Sequence, residues 1–270
     1  MSAIKKSDRP DDFMADVQNQ LDTRRIKIDK VGVKDIRYPI SVRAKDNTDQ
    51  RTVASVNMYV DLPHHYKGTH MSRFIEILSI HRHSISIQSI STILNDMKER
   101  LDAASAHLEL SFPYFIEKKA PVSEAVSLLE YNCTLFGQQN NAKPDITVGV
   151  TVPITTLCPC SKEISNFGAH NQRGVVTVVV RFKKFFWMED LIHLIEESCS
   201  AEIFSLLKRA DEKFVTETAY NNPMFVEDVV REVAVKLLAD GNYTWFSIAA
   251  ENFESIHNHS AYAYIEHHPD

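Results

Sequence analysis

Strand-like runs come in pairs on either side of a helical stretch, and this arrangement occurs twice along the chain. In the first half, residues 31–44 (V-G-V-K-D-I-R-Y-P-I-S-V-R-A) and 52–62 alternate apolar and polar side chains, the period of a half-buried strand. Pro63 and Gly68 punctuate the loop that follows. Residues 71–78 read as one or two helical turns and 90–108 as a longer helix; 108–116 and 125–136 return to the strand pattern. The polar stretch G-Q-Q-N-N-A-K-P at 137–144 is a turn or linker signal.

The second half repeats the scheme. Residues 146–156 and 175–185 are strand-like, and 189–217 carries apolar pairs at helical spacing. A further helix opens at Pro223, where a missing N–H costs nothing, carries Val226, Val229, Val230, Val233 and Leu237 on one stripe, and stops at Asp240-Gly241. Residues 243–253 and 261–266 close the pattern as strands. The expected fold is α+β: two fused modules, each an antiparallel sheet with helices on one face, over 31–140 and 141–270. There is no residue-level repeat between them, and residues 1–30, polar and charged, read as a flexible lead-in.

Composition narrows the function classes. With 270 residues, 44% of them apolar, the chain can bury a large core. Its net charge of −6 argues against non-specific nucleic-acid binding, which needs a cationic surface. No apolar run approaches the roughly 18 residues that span a bilayer, and the N-terminus lacks the pattern of a secretory signal; a cytoplasmic protein with reduced thiols is expected. Seven glycines, with no G-x-G-x-x-G and no Walker pattern, weigh against a dinucleotide or P-loop site. Cys133 and Cys199 read as small core residues.

Chemistry-bearing residues concentrate in C-P-C-S-K-E-I-S-N-F-G-A-H-N-Q-R at 158–173. On extended chain Cys158 and Cys160 face the same way, Pro159 stiffens the backbone between them, and His170 follows in a loop. Thiolate and imidazole are ligands for a zinc-type ion, and with no second cysteine pair such a site would be an open, catalytic one. Two buried strand cysteines beside a surface histidine is the plainer alternative. A second cluster, E-N-F-E-S-I-H-N-H-S-A-Y-A at 251–263, places His257 and His259 two apart where a sheet-closing hairpin would prefer apolar residues. Imidazoles there suit ligation or acid–base work, or simply face solvent, as His64, His65, His267 and His268 are read to do. Taken alone, Glu212 belongs to a solvated helix face and Glu227 to an i,i+4 ion pair with Arg231.

The 158–173 block, followed by L-L-K-R-A-D-E-K-F-V-T-E-x-A-Y-N-N-P-M-F-V-E-D and by F-E-S-I-H-N-H-S-A-Y-A, resembles the type IB GTP cyclohydrolase I family, as does K-G-T-H-M-S-R-F at 67–74. The blocks run in order from about residue 30 to the C-terminus. The resemblance implies a tunnelling fold, in which paired β-β-α-α-β-β modules close into a barrel on oligomerisation, commonly as a homotetramer with active sites between subunits. It implies conversion of GTP and water to 7,8-dihydroneopterin triphosphate and formate, the first step toward tetrahydrofolate, which also feeds 7-deazaguanosine tRNA modification.

By the same resemblance Cys158, His170 and Glu212 look like ligands of a divalent metal (zinc, manganese or ferrous iron), with the fourth position open to water or a C-terminal histidine. Cys160 looks like the essential catalytic cysteine, His257 and His259 like proton-transfer residues, and Glu227 like the carboxylate that anchors the guanine edge. Charge and proximity alone suggest Lys162 and Arg173 for the triphosphate, with Arg73, His70 and Lys67 behind them. The competing expectations are a tunnelling-fold nitrile reductase acting on a 7-deazaguanine, with NADPH and no metal, and a purine- or pterin-binding homologue without turnover.

Overall fold

The structure, a computed structural model, describes residues 17–269 apart from 19, 84 and 141. Of the expected lead-in, residues 1–16 lie outside the described residues; beyond them Leu21 bridges to Tyr66, and the first strand begins at Ile28.

Eight strands form one antiparallel sheet in strict chain order: β1 (Ile28–Arg43), β2 (Asp49–Leu62), β3 (Ala106–Lys119), β4 (Val126–Gln139), β5 (Asp145–Leu157), β6 (Asn171–Phe182), β7 (Tyr243–Asn252) and β8 (Ala261–His267). Between β2 and β3 lie α1 (Met71–His81) and α2 (Ile90–Arg100); between β5 and β6 lies the short α3 (Pro159–Ile164); between β6 and β7 lie α4 (Met188–Glu196), α5 (Arg209–Asn221) and α6 (Val226–Asp240). The helices sit on one face of the sheet: α2 against β3 and β4, α4 against β5, and α6 against β7 and β8.

Period-two alternation produces this layering. Ala54, Val56, Met58 and Val60 of β2, Leu108, Leu110 and Phe112 of β3, and Val148, Val150, Val152 and Ile154 of β5 all point under the helices and are buried. Each fully buried Val, Leu, Ile, Phe or Met side chain is worth roughly 1.5–3 kcal/mol, so the pattern fixes which face packs. The opposite face mixes polar side chains with exposed apolar ones such as Val53, Phe115 and Leu128. Asn57 on β2 donates to Glu109 on β3 at 2.9 Å, and the Thr151 and Thr177 hydroxyls meet at 3.0 Å across β5 and β6.

Several element boundaries differ from the sequence expectation: β6, expected over 175–185, spans Asn171–Phe182, and three differences in the helices have identifiable causes. The helix expected over 90–108 ends at Arg100: Asp102 turns left-handed (φ 49°), and the alternation from Ala106 belongs to β3. The helix expected over 189–217 is two helices. Its middle is drawn onto β5, where Ser200 Oγ accepts from Leu157 N–H at 3.1 Å and Ala201 bridges to Thr155. The last helix begins at Val226 rather than at Pro223, because Met224 N–H is spent on Leu157 O (3.0 Å) and the Asp228 carboxylate accepts from Phe225 N–H (2.9 Å). Its end is as expected, with Gly241 left-handed at φ 70°. No helix among the described residues is long and apolar enough to cross a membrane.

Candidate active site

The cysteine motif is not extended chain. Cys158 is the N-cap of α3, Pro159 is its first residue, and the Cys158 sulfur accepts from Ser161 N–H at 3.3 Å. Proline at that position loses no helical hydrogen bond, so C-P-C reads as a helix start, and the expectation that two cysteines share one side of a strand is corrected. They share a cavity nonetheless. Cys158 is half-buried and Cys160 exposed, and both line a cavity of about 440 Å³.

That cavity collects residues from four places: Cys158, Cys160, Ser161 and Ile164 of α3; His170 and Gln172 at the start of β6; Met224, Phe225, Val226 and Glu227 around the start of α6; and Asn252, Glu254, His257, His259 and Tyr262 from the end of β7 to β8. Phe253 N–H, donating to Arg173 O at 2.8 Å, ties the end of β7 to β6, and three further hydrogen bonds tie the other places to one another and to Cys199. Cys158 N–H donates to His170 O at 3.1 Å, Met224 N–H to Leu157 O at 3.0 Å, and Asn222 Nδ2 to Cys199 O at 3.0 Å. The α5–α6 turn is thereby pinned to the end of β5, which brings Glu227 to the same cavity as the cysteines.

Glu227 does not pair with Arg231, which instead lies 3.6 Å from Asp228; no hydrogen bond or ion pair engages Glu227 among the described residues. His257 and His259 stack with ring centroids 5.1 Å apart and planes 17° from parallel, both exposed in the β7–β8 loop. His170 is half-buried, and its Nδ1 lies 3.0 Å from Gln172 Oε1.

The other expected site residues stand apart from the cavity lining. Glu212 is exposed on α5. Lys162 lies over the Tyr220 ring at 4.4 Å and donates to Tyr220 O. Arg173 is exposed on β6, one residue past Gln172 and so on the other face of the sheet. Arg73 donates to Arg100 O at 3.0 Å, and Lys67 Nζ lies 3.5 Å from Gln20 Oε1. His70 precedes α1 as its N-cap. Among the described residues no group of three or more His, Cys, Asp or Glu side chains is arranged to hold a metal ion. The cavity does offer a thiol and an imidazole, Cys158 and His170, whose backbones are hydrogen-bonded to each other.

Several polar lining residues escaped the sequence reading: Ser161, Glu254, Tyr262 and two buried carboxamides. Gln172 is buried (7% exposed), as is Asn252 (2%), whose Oδ1 is sealed from solvent without a partner. A side chain at Gly174 would put its Cβ 2.6 Å from that oxygen, so only glycine leaves the Asn252 carboxamide its place. The available signal was a polar residue ending an apolar strand stripe, Val176–Gly174–Gln172 on β6 and Ile248–Ala250–Asn252 on β7.

A family model described as type I GTP cyclohydrolase folE2 matches residues 14–263. A protein of Syntrophus aciditrophicus (strain SB) named GTP cyclohydrolase FolE2 is 62% identical over 253 residues, covering 94% of this chain and 99% of that protein. One of the same name from Geotalea uraniireducens (strain Rf4) is 60% identical, covering 94% and 93%. Among solved structures, a uricase from Bacillus fastidious superposes with a TM-score of 0.55 at 7% identity over 88% of this chain and 92% of its own. The uricase from Arthrobacter globiformis gives 0.51 at 10% identity over the same shares. At that identity the likeness concerns the fold alone, and the fold is the tunnelling fold.

Proposed function

Because the chain belongs to the type I GTP cyclohydrolase FolE2 family, we propose that it is a type IB GTP cyclohydrolase I, converting GTP and water to 7,8-dihydroneopterin triphosphate and formate as the first step of tetrahydrofolate biosynthesis. The observation that carries this reading is the convergence of Cys158, Cys160, His170, Glu227, His257 and His259 on one cavity from four separate stretches of chain. Glu227 accepts hydrogen bonds from guanine N1–H and the 2-amino group, a charge-assisted pair that selects guanine over adenine. Cys160, exposed at the cavity edge, faces the purine carbon that is lost as formate. The stacked His257 and His259 move protons to and from the opening imidazole ring, the acid–base work for which histidine is most often used.

The donor set fits a divalent metal in part. Cys158 and His170 would hold it, and the bond from His170 Nδ1 to Gln172 leaves Nε2 as the ligating atom. When bound, zinc, manganese or ferrous iron supplies Lewis acidity that activates water at neutral pH. In this proposal Glu212, exposed on its own chain, completes the donor set in an assembled homotetramer with active sites between subunits. Lys162, Arg173 and Arg73 receive the triphosphate there. Exposed apolar residues support assembly: Ile164, Phe225 and Ile256 at the cavity, with Phe167 (99% exposed) and Phe253 on the loops before β6 and after β7. All four cysteines are free thiols, in keeping with the cytoplasm. Residues 31–140 and 141–270 serve as the two modules, the second carrying most of the site.

The test is formate release from GTP by metal-stripped protein re-supplied separately with zinc, manganese or ferrous iron. Turnover returns with at least one metal; a folded protein that releases no formate with any of them sinks the reading.

A further inference from the structure

On the helix-facing side of the sheet the apolar stripes of β5 and β6 end in polar residues that face each other. Ile154 is followed on the same face by Thr156, and Val176 by Gly174 and then Gln172; Thr156 and Gln172 are direct cross-strand partners. Both are buried, Thr156 completely. A primary amide in such a place is costly unless both of its ends are engaged. Here both are. Gln172 Nε2 donates to Thr156 Oγ1 at 2.9 Å, and Gln172 Oε1 lies 3.0 Å from His170 Nδ1.

His170 is held on its other sides as well. Its carbonyl accepts from Cys158 N–H at 3.1 Å and its N–H donates to Ser161 Oγ at 3.2 Å. Ser255 Oγ, from the loop that carries His257 and His259, approaches the same Nδ1 at 3.3 Å. With the backbone fixed on α3 and Nδ1 enclosed by protein oxygens, Nε2 is the ring nitrogen left for the cavity.

We infer that Gln172 is a positioning residue: it holds His170 as the Nδ1–H tautomer and presents the Nε2 lone pair to the cavity, with Thr156 locking the amide that does so. The inference rests on the proposed role of His170 as a ligand through Nε2, and it adds the group that makes the ring fit for that role. The orienting group is a neutral amide rather than a carboxylate, so it fixes the ring without adding negative charge behind the imidazole. A histidine backed by a carboxylate is a stronger donor to a metal. The Thr156–Gln172–His170 chain therefore sets direction first and donor strength second.

Side-chain nitrogen shifts of His170 in the metal-stripped full chain, labelled with ¹⁵N-histidine, test the tautomer directly. Wild type shows Nδ1 protonated and Nε2 bare. Gln172→Leu, which keeps the volume and removes both hydrogen-bonding ends, gives mixed tautomers and weakens zinc binding, measured by competition with a chromophoric chelator, by tenfold or more. Gln172→Glu, which keeps an acceptor toward Nδ1, restores the single tautomer and binds zinc at least as tightly as wild type. Thr156→Val keeps the strand and loses only the lock, and it moves both readouts in the direction of Gln172→Leu by a smaller factor. An Nε2–H tautomer in wild type overturns the inference. So does a Gln172→Leu protein whose tautomer and zinc affinity match wild type. If Gln172→Leu does not fold, unchanged readouts in Thr156→Val overturn it instead. Wild type with the expected tautomer but no affinity for any divalent metal would instead overturn the metal reading and leave the positioning role standing.

Discussion

Cys158 and Cys160, separated by Pro159, have different surroundings. Cys158 is the helix cap with a backbone N–H on its sulfur, whereas Cys160 is exposed at the cavity edge. The two remaining thiols are buried in the core; burial pushes Cys133 well above the ordinary thiol range and Cys199 up to about 12. Because the thiolate is the reactive form, the first equivalent of iodoacetamide is expected on Cys160 and none on Cys133 or Cys199 in the folded protein. Peptide mass mapping checks this, and early label on a core cysteine would refute it. Glu227 yields the second prediction at this scale. Glu227→Gln turns one accepting oxygen into a donor facing a donor, at a cost of about 2 kcal/mol, equivalent to roughly a thirtyfold rise in KM for GTP. Unchanged kinetics would remove Glu227 from guanine recognition. The residue types at 158, 160, 170, 257 and 259 were legible because such groups are out of place in a strand-rich core, and all five line the cavity. Glu227 was not legible from spacing, since an i,i+4 pair with Arg231 is the ordinary expectation; only the fold shows Arg231 turning to Asp228. The phosphate candidates rested on charge and sequence proximity, and proximity along a strand says little about which face of the sheet a side chain occupies, as Arg173 beside Gln172 illustrates.

Among the elements, α5 depends on one carboxylate. Asp211, fully buried, accepts from Val122 N–H (2.8 Å), Ser123 N–H (2.8 Å), Ser123 Oγ (2.6 Å) and Lys208 N–H (2.8 Å), tying the start of α5 to the β3–β4 turn. Burial would raise the pKa of Asp211, but these donors outweigh it and hold the carboxyl well below the usual carboxylate range. The folded-state pKa is therefore the lower one, and the unfolded chain takes up its proton first as pH falls. The stability that Asp211 contributes is complete above the ordinary aspartate value, about 3.9, and is lost as pH falls through the depressed folded value. Asp211→Asn is expected to lower Tm by several degrees at neutral pH and to flatten the decline of the urea midpoint below about pH 4. Equal slopes in the two proteins would mean that Asp211 carries none of the acid sensitivity. The existence of most elements was legible from period and punctuation, whereas the split between α4 and α5 was not. Residues 197–208 look helical locally and are bent onto β5 by tertiary bonds such as Ser200 to Leu157, which no local pattern encodes.

The molecule as a whole leaves two features unsatisfied. Its sheet is open at both ends: among the described residues β8 presents an unpaired edge, and β1 one that is covered only at Ser41–Arg43 by bonds to Arg82 and Ile85, and an exposed edge invites pairing with another chain. The face opposite the helices mixes polar side chains with exposed apolar ones such as Val53, Phe115 and Leu128, while the exposed Ile164, Phe225 and Ile256 form an apolar rim to the cavity. Association of copies edge to edge would pair the strands and cover the rim at once, which is why the proposed assembly is a closed tetramer. The solution mass should then be four times the 30.8 kDa of the chain, by light scattering after size exclusion. The arrangement also predicts how subunits share the chemistry. Cys160, His257, His259 and Glu227 line the same cavity of the same chain. A mixed oligomer of Cys160→Ala and Glu227→Gln chains, unfolded together and refolded, therefore contains no cavity with both groups intact in its mutated chains. Such mixtures are expected to release formate no faster than the average of the two parents. Recovery toward a quarter of wild-type activity would mean that Glu227 serves the cysteine of a neighbouring subunit, and the cavity drawn within one chain would have to be redrawn across two.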